Sequence, residues 1–385
     1  MRTPFPVAAS IAQRPGYGGH ACAFLQIAWG LRGLGYEPLF LDRLDAGMAV
    51  DGDGEHSPQA HDAAVRWFCD VMAAAGLADS YCLLLDEGET VGRTRSEAKA
   101  AIAAAPALID VMGFLEDEEL LAAASLRVFL DVDPGFPQIW NELGLADVFA
   151  GYDRFVTVGG NVGFDDCLVP SCGRDWVKIK PPVDLDRWPV AASPEETAFR
   201  TVGSWRGPFG PVEFDGRVLG LRVHEFRRFF DLPERVPARF EVALDLDPAD
   251  AADRERLEQN DWRLLDPASA APTLDGYKQF IQASSAEIGI AKSIYVQTKG
   301  GWFSDRSACF LASGKPVLAQ DTGFSRDLPV GEGLVAFNSL DEAVAGAREI
   351  LGDQRRHSRA AREIAEEHFE SRRVIGGLLE AIGAA

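Results

Sequence analysis

The chain has 385 residues, 47% hydrophobic and 25% charged, an ordinary folded composition with enough length for two domains that each bury a core. Its 59 Asp+Glu against 38 Lys+Arg leave a formal net charge of −21, which argues against nucleic acid or an anionic membrane surface as a partner, because phosphate polyanions are bound by Lys and Arg. No run approaches the ~18–20 uninterrupted apolar residues of a membrane span, and six cysteines without C-x2-C spacing fit neither a disulfide scaffold nor a zinc site.

A cytoplasmic protein is the expectation, and the opening stretch, broken by Pro6 and Arg14, reads as the start of the fold rather than a signal peptide. Residues 6–12 (PVAASIA) read as a strand and 14–20 (RPGYGGH) as a turn. An amphipathic helix then runs to Gly35, and 36–42 (YEPLFLD) is the next strand, completing a βαβ unit. A helix over 61–77 leads to a strand at 80–86. Apolar runs at 106–114, 125–134, 154–161 and 166–171 follow as further strands, the pattern of a parallel sheet with crossover helices.

Residues 178–196 are proline-rich, without hydrophobic period, and read as an interdomain linker. The second half restarts with a strand at 199–205. The segments 226–236, 239–246 and 261–266 alternate in the manner of strands. Residues 277–293, a helix at 304–314 and a strand at 315–321 form a second run of sheet-and-helix units, and the stretch from Ser339 onward is helical almost throughout. His224, His357 and His368 lie in charged helical contexts and are expected at the surface.

Open parallel sheets bind ligands at the carboxyl ends of their strands, so two such sheets place the default site in the cleft between lobes. The loop after the first strand carries Gly16, Gly18 and Gly19, which permit close backbone approach, and His20 at the start of the helix. A neutral imidazole there takes a proton from an acceptor hydroxyl, or makes only a local hydrogen bond. Asp131 and Asp133 end another strand, and their i, i+2 spacing turns them to opposite faces, so only one naturally faces the cleft. That one orients His20 or binds acceptor hydroxyls; the other stabilises the turn. Gly159 and Asn161, in TVGGN, are a polar loop beside the cleft or an ordinary turn.

In the second half, Gly203 and Arg206 stand at the end of the restarting strand, where a guanidinium suits a diphosphate or makes a surface salt bridge. The segment 292–337 is the most informative. Gly300 and Gly301 precede a helix opening near Ser304 or Asp305, whose free amides, with Ser304 and Ser307, form an anion cradle. Lys292, Lys299 and Arg306 add charge, and Thr322, Gly323 and Phe324 follow the next strand at the same edge. Signatures of zinc proteases, α/β-hydrolases and P-loop enzymes are missing.

The Gly-Gly-His after the first strand, the mid-chain linker, and GGWFSDRSACFLASGKPVLAQDTGF followed by GLVAF and a helical tail resemble glycosyltransferases of the GT-B fold, in particular a bacterial group found among natural-product pathways. The resemblance implies an α/β fold of two facing Rossmann-like domains with an interdomain cleft: residues 1–180 for the acceptor, 199–365 for a nucleotide-sugar donor, and 366–385 as a helix packing back on the first domain. It implies transfer of a sugar from a nucleotide-diphosphate donor to a small-molecule acceptor, with no metal or other cofactor.

Carried over, His20 is the base or a substrate contact, Arg206 a diphosphate ligand, Ser304 to Ser307 the phosphate-binding loop and Thr322 to Phe324 the loop beside the donor sugar. Read from their positions, Asp131 or Asp133 stands behind His20, and Gly18, Gly19, Gly159 and Asn161 stand on the acceptor side. Gly203, Arg206, Lys292, Gly300, Gly301, Ser304, Asp305, Arg306, Ser307, Thr322, Gly323 and Phe324 stand on the donor side. The chain departs from the retaining members' Glu-x7-Glu pair, with Gly301 and Cys309 in those positions, and Lys299-Gly300-Gly301 only echoes the phosphate motif of inverting members. Inversion is therefore the expectation. An epimerase or hydrolase on the same fold, and a degenerate sugar-binding or scaffold protein, are the alternatives.

Overall fold

The structure, a computed structural model, describes residues 2–50, 56–194, 196–207 and 209–385, and its helices and strands lie within them. Met1 and residues 51–55 of the first lobe, Glu195 of the linker reading and Pro208 lie outside the described residues.

Eight described strands make the first sheet: β1 (Pro4–Ala8), β2 (Glu37–Leu44), β3 (Tyr81–Leu85), β4 (Thr90–Gly92), β5 (Leu108–Val111), β6 (Arg127–Asp131), β7 (Arg154–Thr157) and β8 (Trp176–Lys178). Their order is β4-β3-β2-β1-β5-β6-β7-β8, parallel except for the β3–β4 hairpin. The central strands are buried on both faces, as they must be when crossover helices cover both sides of a parallel sheet. The order reverses direction at β1, which opens a crevice beside the helix Gly18–Gly33.

The second sheet holds β9 (Ala198–Ser204), β12 (Arg239–Asp245), β13 (Trp262–Leu264), β14 (Ala286–Gly289), β15 (Val317–Gln320) and β16 (Leu334–Phe337), all parallel in the order β13-β12-β9-β14-β15-β16. The second sheet thus runs 3-2-1-4-5-6 from its own first strand, and the parallel strands of the first sheet repeat that order with β8 added as a seventh, the doubly wound arrangement. A two-stranded hairpin, β10 (Val212–Phe214) and β11 (Arg217–Leu219), is inserted after β9.

Several segments depart from the sequence reading. The strand expected over 6–12 ends at Ala8, because the Asp42 carboxylate takes the N–H groups of Ile11 and Ala12 and bends the chain into a loop. Residues 166–171 form an irregular loop and no strand, and Leu168 gives its N–H to the Thr298 carbonyl of the second lobe. The stretch 226–236 is helical: Val223, Phe226 and Phe230 are buried at i, i+3 and i+7, a helical period that pairwise alternation mimicked. His357 is buried, with Nδ1 accepting the Gly333 N–H at 3.2 Å, because the helix Gln354–His368 packs against the end of β16.

Two segments cross between the lobes. They meet where Val183 donates to the Phe369 carbonyl at 2.7 Å and Ser371 donates back to the Val183 carbonyl at 2.9 Å. The last helix, Ser371–Ile382, then lies on the helix Gly18–Gly33, so close that a Cβ on Gly30 would stand 2.7 Å from Ile375.

Candidate functional site

The carboxyl ends of the two sheets face one cleft of about 630 Å³, lined from the first lobe by Gly19, His20 and Asp133 among others and from the second by Gly203, Arg222, Lys292 and residues 302–306. The loop after β1 supplies the first side. Asp42 anchors it at 2.6 Å from the Ile11 N–H and 2.8 Å from the Ala12 N–H, and burial pushes its carboxyl up to about 7 in spite of those donors. Burial lowers His20 to about 4, so its imidazole is neutral at physiological pH. His20 Nε2 lies 2.5 Å from the Ser10 carbonyl, which can only accept, so Nε2 carries the proton. Nδ1 is then the basic nitrogen, and it has no partner among the described residues.

The two aspartates separate as their spacing predicts, but neither stands behind His20. Asp131 is fully buried outside the cleft, where it accepts from Thr157 and Gln138 at 2.7 Å each and from the Asp133 N–H at 3.0 Å; burial raises its carboxyl to about 6. It fixes the turn. Asp133 enters the cleft, reaching Lys292 Nζ at 3.0 Å and accepting from the Tyr295 hydroxyl across the lobes.

Arg206 is not where the sequence suggested. Its guanidinium is paired with Asp250 through two hydrogen bonds of 2.7 and 2.6 Å, and it does not line the cleft. Asp250, 5% exposed, captures it because a buried carboxylate needs a cation more than an open strand end does. Arg222, which the sequence reading passed over, takes the place. It is 8% exposed and gives Nη1 to the Ser204 carbonyl at 3.0 Å, while Nε has no partner among the described residues and no carboxylate pairs with it. Burial, then repulsion from Arg306, lowers it to about 9. Gly203 makes room for it, since a Cβ there would stand 2.6 Å from Nη1. Arg306 also lines the cleft but is neutralised by Glu287 at 2.6 Å. The signal that could have found Arg222 was its place at the start of a helix after Gly220, in a run otherwise reading as a charged surface.

The 299–307 loop divides. Ser304 is the N-cap of the helix Asp305–Ala312, makes no capping bond with its side chain, and lines the cleft with Asp305, whose carboxyl is raised by burial. Ser307, Thr322 and Phe324 line an adjoining cavity of about 20 Å³ that shares Trp302, Phe303, Ser304 and Arg306 with the cleft, and the Thr322 hydroxyl donates to the Trp302 carbonyl. Gly300, Gly301 and Gly323 are part of the seam between lobes. Asn161 binds there, with its N–H on the Gly300 carbonyl and its side-chain amide on the carbonyls of Lys299 and Gly323, all at 3.0 Å. Gly18 is also in the seam, donating to the Ala271 carbonyl at 3.0 Å, and Gly159 is tucked against Pro134 and Val162. Tyr295 and Trp302 stack at 4.1 Å as an aromatic floor, which no motif announced. Cys309, at the position of the second glutamate of retaining enzymes, is buried against Gln26 of the first lobe.

No family model and no curated protein matches the chain. Solved structures resemble it over nearly its whole length. An α-glucosyltransferase in complex with UDP superposes with a TM-score of 0.58 at 12% identity, covering 99% of each chain. AviGT4, a glycosyltransferase involved in avilamycin A biosynthesis, gives 0.56 at 12% identity over 99% of this chain and 97% of its own. Anabaena Alr3699/HepE in complex with UDP and glucose gives 0.61 at 11% identity over the full length of both. The chain has the GT-B glycosyltransferase fold that its motifs resemble.

Proposed function

We propose that this chain transfers a sugar from a nucleoside diphosphate donor, held by the second lobe, to a hydroxyl or amine of a small molecule held by the first. Arg222 carries the reading. A buried guanidinium without a carboxylate is costly unless an anion completes it, and this one stands at the ligand edge of a doubly wound sheet. The Ser304 hydroxyl and the free amides beside it supply uncharged donors, and Lys292 a second cation. These groups take up the charge that grows on the leaving diphosphate, so the reading calls for no metal or other cofactor.

On the opposite side, His20 Nδ1 accepts the acceptor's proton as its oxygen or nitrogen bonds to the anomeric carbon. The bond from that carbon to the diphosphate oxygen breaks, and the electron pair leaves with the nucleotide. A single displacement of this kind inverts the anomeric centre. UDP in the neighbouring complexes makes UDP-sugars the first donors to try. One of those neighbours was solved with a 13-mer DNA, but a net charge of −21 disfavours a polyanionic acceptor here. A natural-product acceptor is in keeping with the AviGT4 likeness. A cytoplasmic setting agrees with six free thiols, and no described helix is long and apolar enough to cross a membrane.

Calorimetry with UDP-, dTDP- and GDP-sugars tests the assignment. Heat with at least one is expected, and silence with all of them overturns the donor site. Free sugar or an epimer released without acceptor would instead favour a hydrolase or epimerase.

A further inference from the structure

The two walls of the cleft differ in chemistry. On the second lobe the strand ends bring polar groups: Ser204 at the end of β9, Asp245 at the end of β12, Asp266 after β13 and Lys292 after β14. On the first lobe the described residues that line the cleft at the ends of β5, β6, β7 and β8 are apolar, Met112, Val132, Val158 and Ile179 among them, with Asp133 as their one polar group. Phe24 and Phe114 extend this shelf. Carboxyl ends of parallel strands are the usual place for ligand-binding polar groups; four consecutive apolar ones make a wall for an apolar ligand.

Met112 stands on this shelf in a strained backbone conformation. Its φ of 60° is a left-handed conformation that a long side chain rarely adopts. The polar groups that the first lobe does bring are already engaged or confined to one loop. Asp133 is taken by Lys292 and Tyr295, the Ser10 carbonyl by His20, and Gln13 and Arg14 belong to the loop after β1. A sugar or nucleic acid laid on this wall would leave its hydroxyls or phosphates without partners.

Resting on the transferase reading, we infer that the acceptor is an apolar aromatic molecule with one nucleophilic hydroxyl, a phenol-bearing ring system, rather than a saccharide or DNA. Half-buried Trp302, its ring backed by the buried Tyr295 ring, adds aromatic surface to the cleft. The chemistry of the base agrees. An imidazole lowered to about 4 by burial is weak, and a phenol, with a pKa of about 10, needs less help to lose its proton than an alkyl alcohol does.

Binding of 2-naphthol to the full chain, followed by saturation-transfer NMR and tryptophan fluorescence, tests this, with D-glucose, maltose and a short DNA duplex as the polar probes. Saturable binding of 2-naphthol and none of the polar probes is expected. Met112→Asn keeps a residue that tolerates the left-handed backbone while making the shelf polar. It and Phe114→Ala should each weaken 2-naphthol about ten-fold while UDP binding, measured in parallel, shows that the lobes still fold. A chain that binds UDP but prefers a polar probe, or whose two variants bind 2-naphthol as tightly as the parent, overturns the inference and leaves the transferase reading standing. Variant-sensitive naphthol binding with no heat from any nucleotide-sugar upholds the apolar wall and sinks the transferase reading instead.

Discussion

Lys292 Nζ lies 3.0 Å from Asp133 Oδ2, and this ion pair joins the two lobes across the cleft. Both side chains are largely buried, at 11% and 17% exposure, so solvent screens the pair little. A cation suited to the donor's diphosphate is thus engaged by a carboxylate of the acceptor lobe.

A diphosphate must compete with that carboxylate for Lys292. Asp133→Asn should therefore tighten UDP binding by about three- to ten-fold while Lys292→Ala weakens it. Calorimetry reads both, and weaker UDP binding by Asp133→Asn would show that the carboxylate supports the donor seat.

Arg222 and Arg206 are expected to exchange the roles their positions in the sequence suggest. Arg222→Ala removes a buried charge-assisted contact of about 2–3 kcal/mol, some 30- to 150-fold in UDP affinity. Arg206→Ala should leave UDP affinity within about two-fold, but lower the melting temperature, because Asp250 loses its partner. Titration calorimetry and thermal unfolding separate the two outcomes.

That contrast shows what was legible in the sequence. Glycine-bounded apolar runs gave the strands and the cleft, and the i, i+2 spacing of Asp131 and Asp133 correctly allowed only one of them into it. Where a cation points was not legible. Arg206 and Arg222 stand 16 positions apart near the same sheet edge, and the choice between them was made by Asp250, a carboxylate from beyond β12. Asn161, Gly301 and Gly323 looked like ligand loops because a seam between lobes requires the same small and polar residues as a binding site.

His20 governs the acid side of any pH profile. With its imidazole at about 4, the acid limb of kcat/KM should fall below pH 5, and a limb near 6.5 would remove His20 as base. Stability follows with a definite sign. The depressed histidine contributes stability that is complete above 6.5 and is lost as pH falls towards 4. Asp42 and Asp110, raised to about 7, and Asp131, raised to about 6, act in the opposite sense, their contribution being lost as pH rises through those values. His20→Asn leaves only the second effect, so its urea midpoint should rise from pH 7 to pH 4.5 by more than that of the parent chain does.

The seam makes its own prediction. Asn161→Ala deletes two side-chain hydrogen bonds between lobes and should cost about 1–3 kcal/mol in urea unfolding. Gly323→Ala should cost more, because φ is 95° and a Cβ would stand 2.5 Å from the Asn161 amide. Small-angle scattering without nucleotide should show a larger radius of gyration for both.

The helix Ser371–Ile382 covers the helix Gly18–Gly33, so a face of the first lobe is sealed by residues made only after the second lobe. During synthesis the first lobe leaves the ribosome with that face bare, and it remains so while the whole second lobe is translated. A nascent chain stalled before Ser371 should bind chaperones through this face, and release should coincide with docking of the helix Ser371–Ile382. Completion of the first lobe is thereby tied to translation of the second, and a product terminated before Ser371 would carry an exposed apolar surface that quality control can recognise.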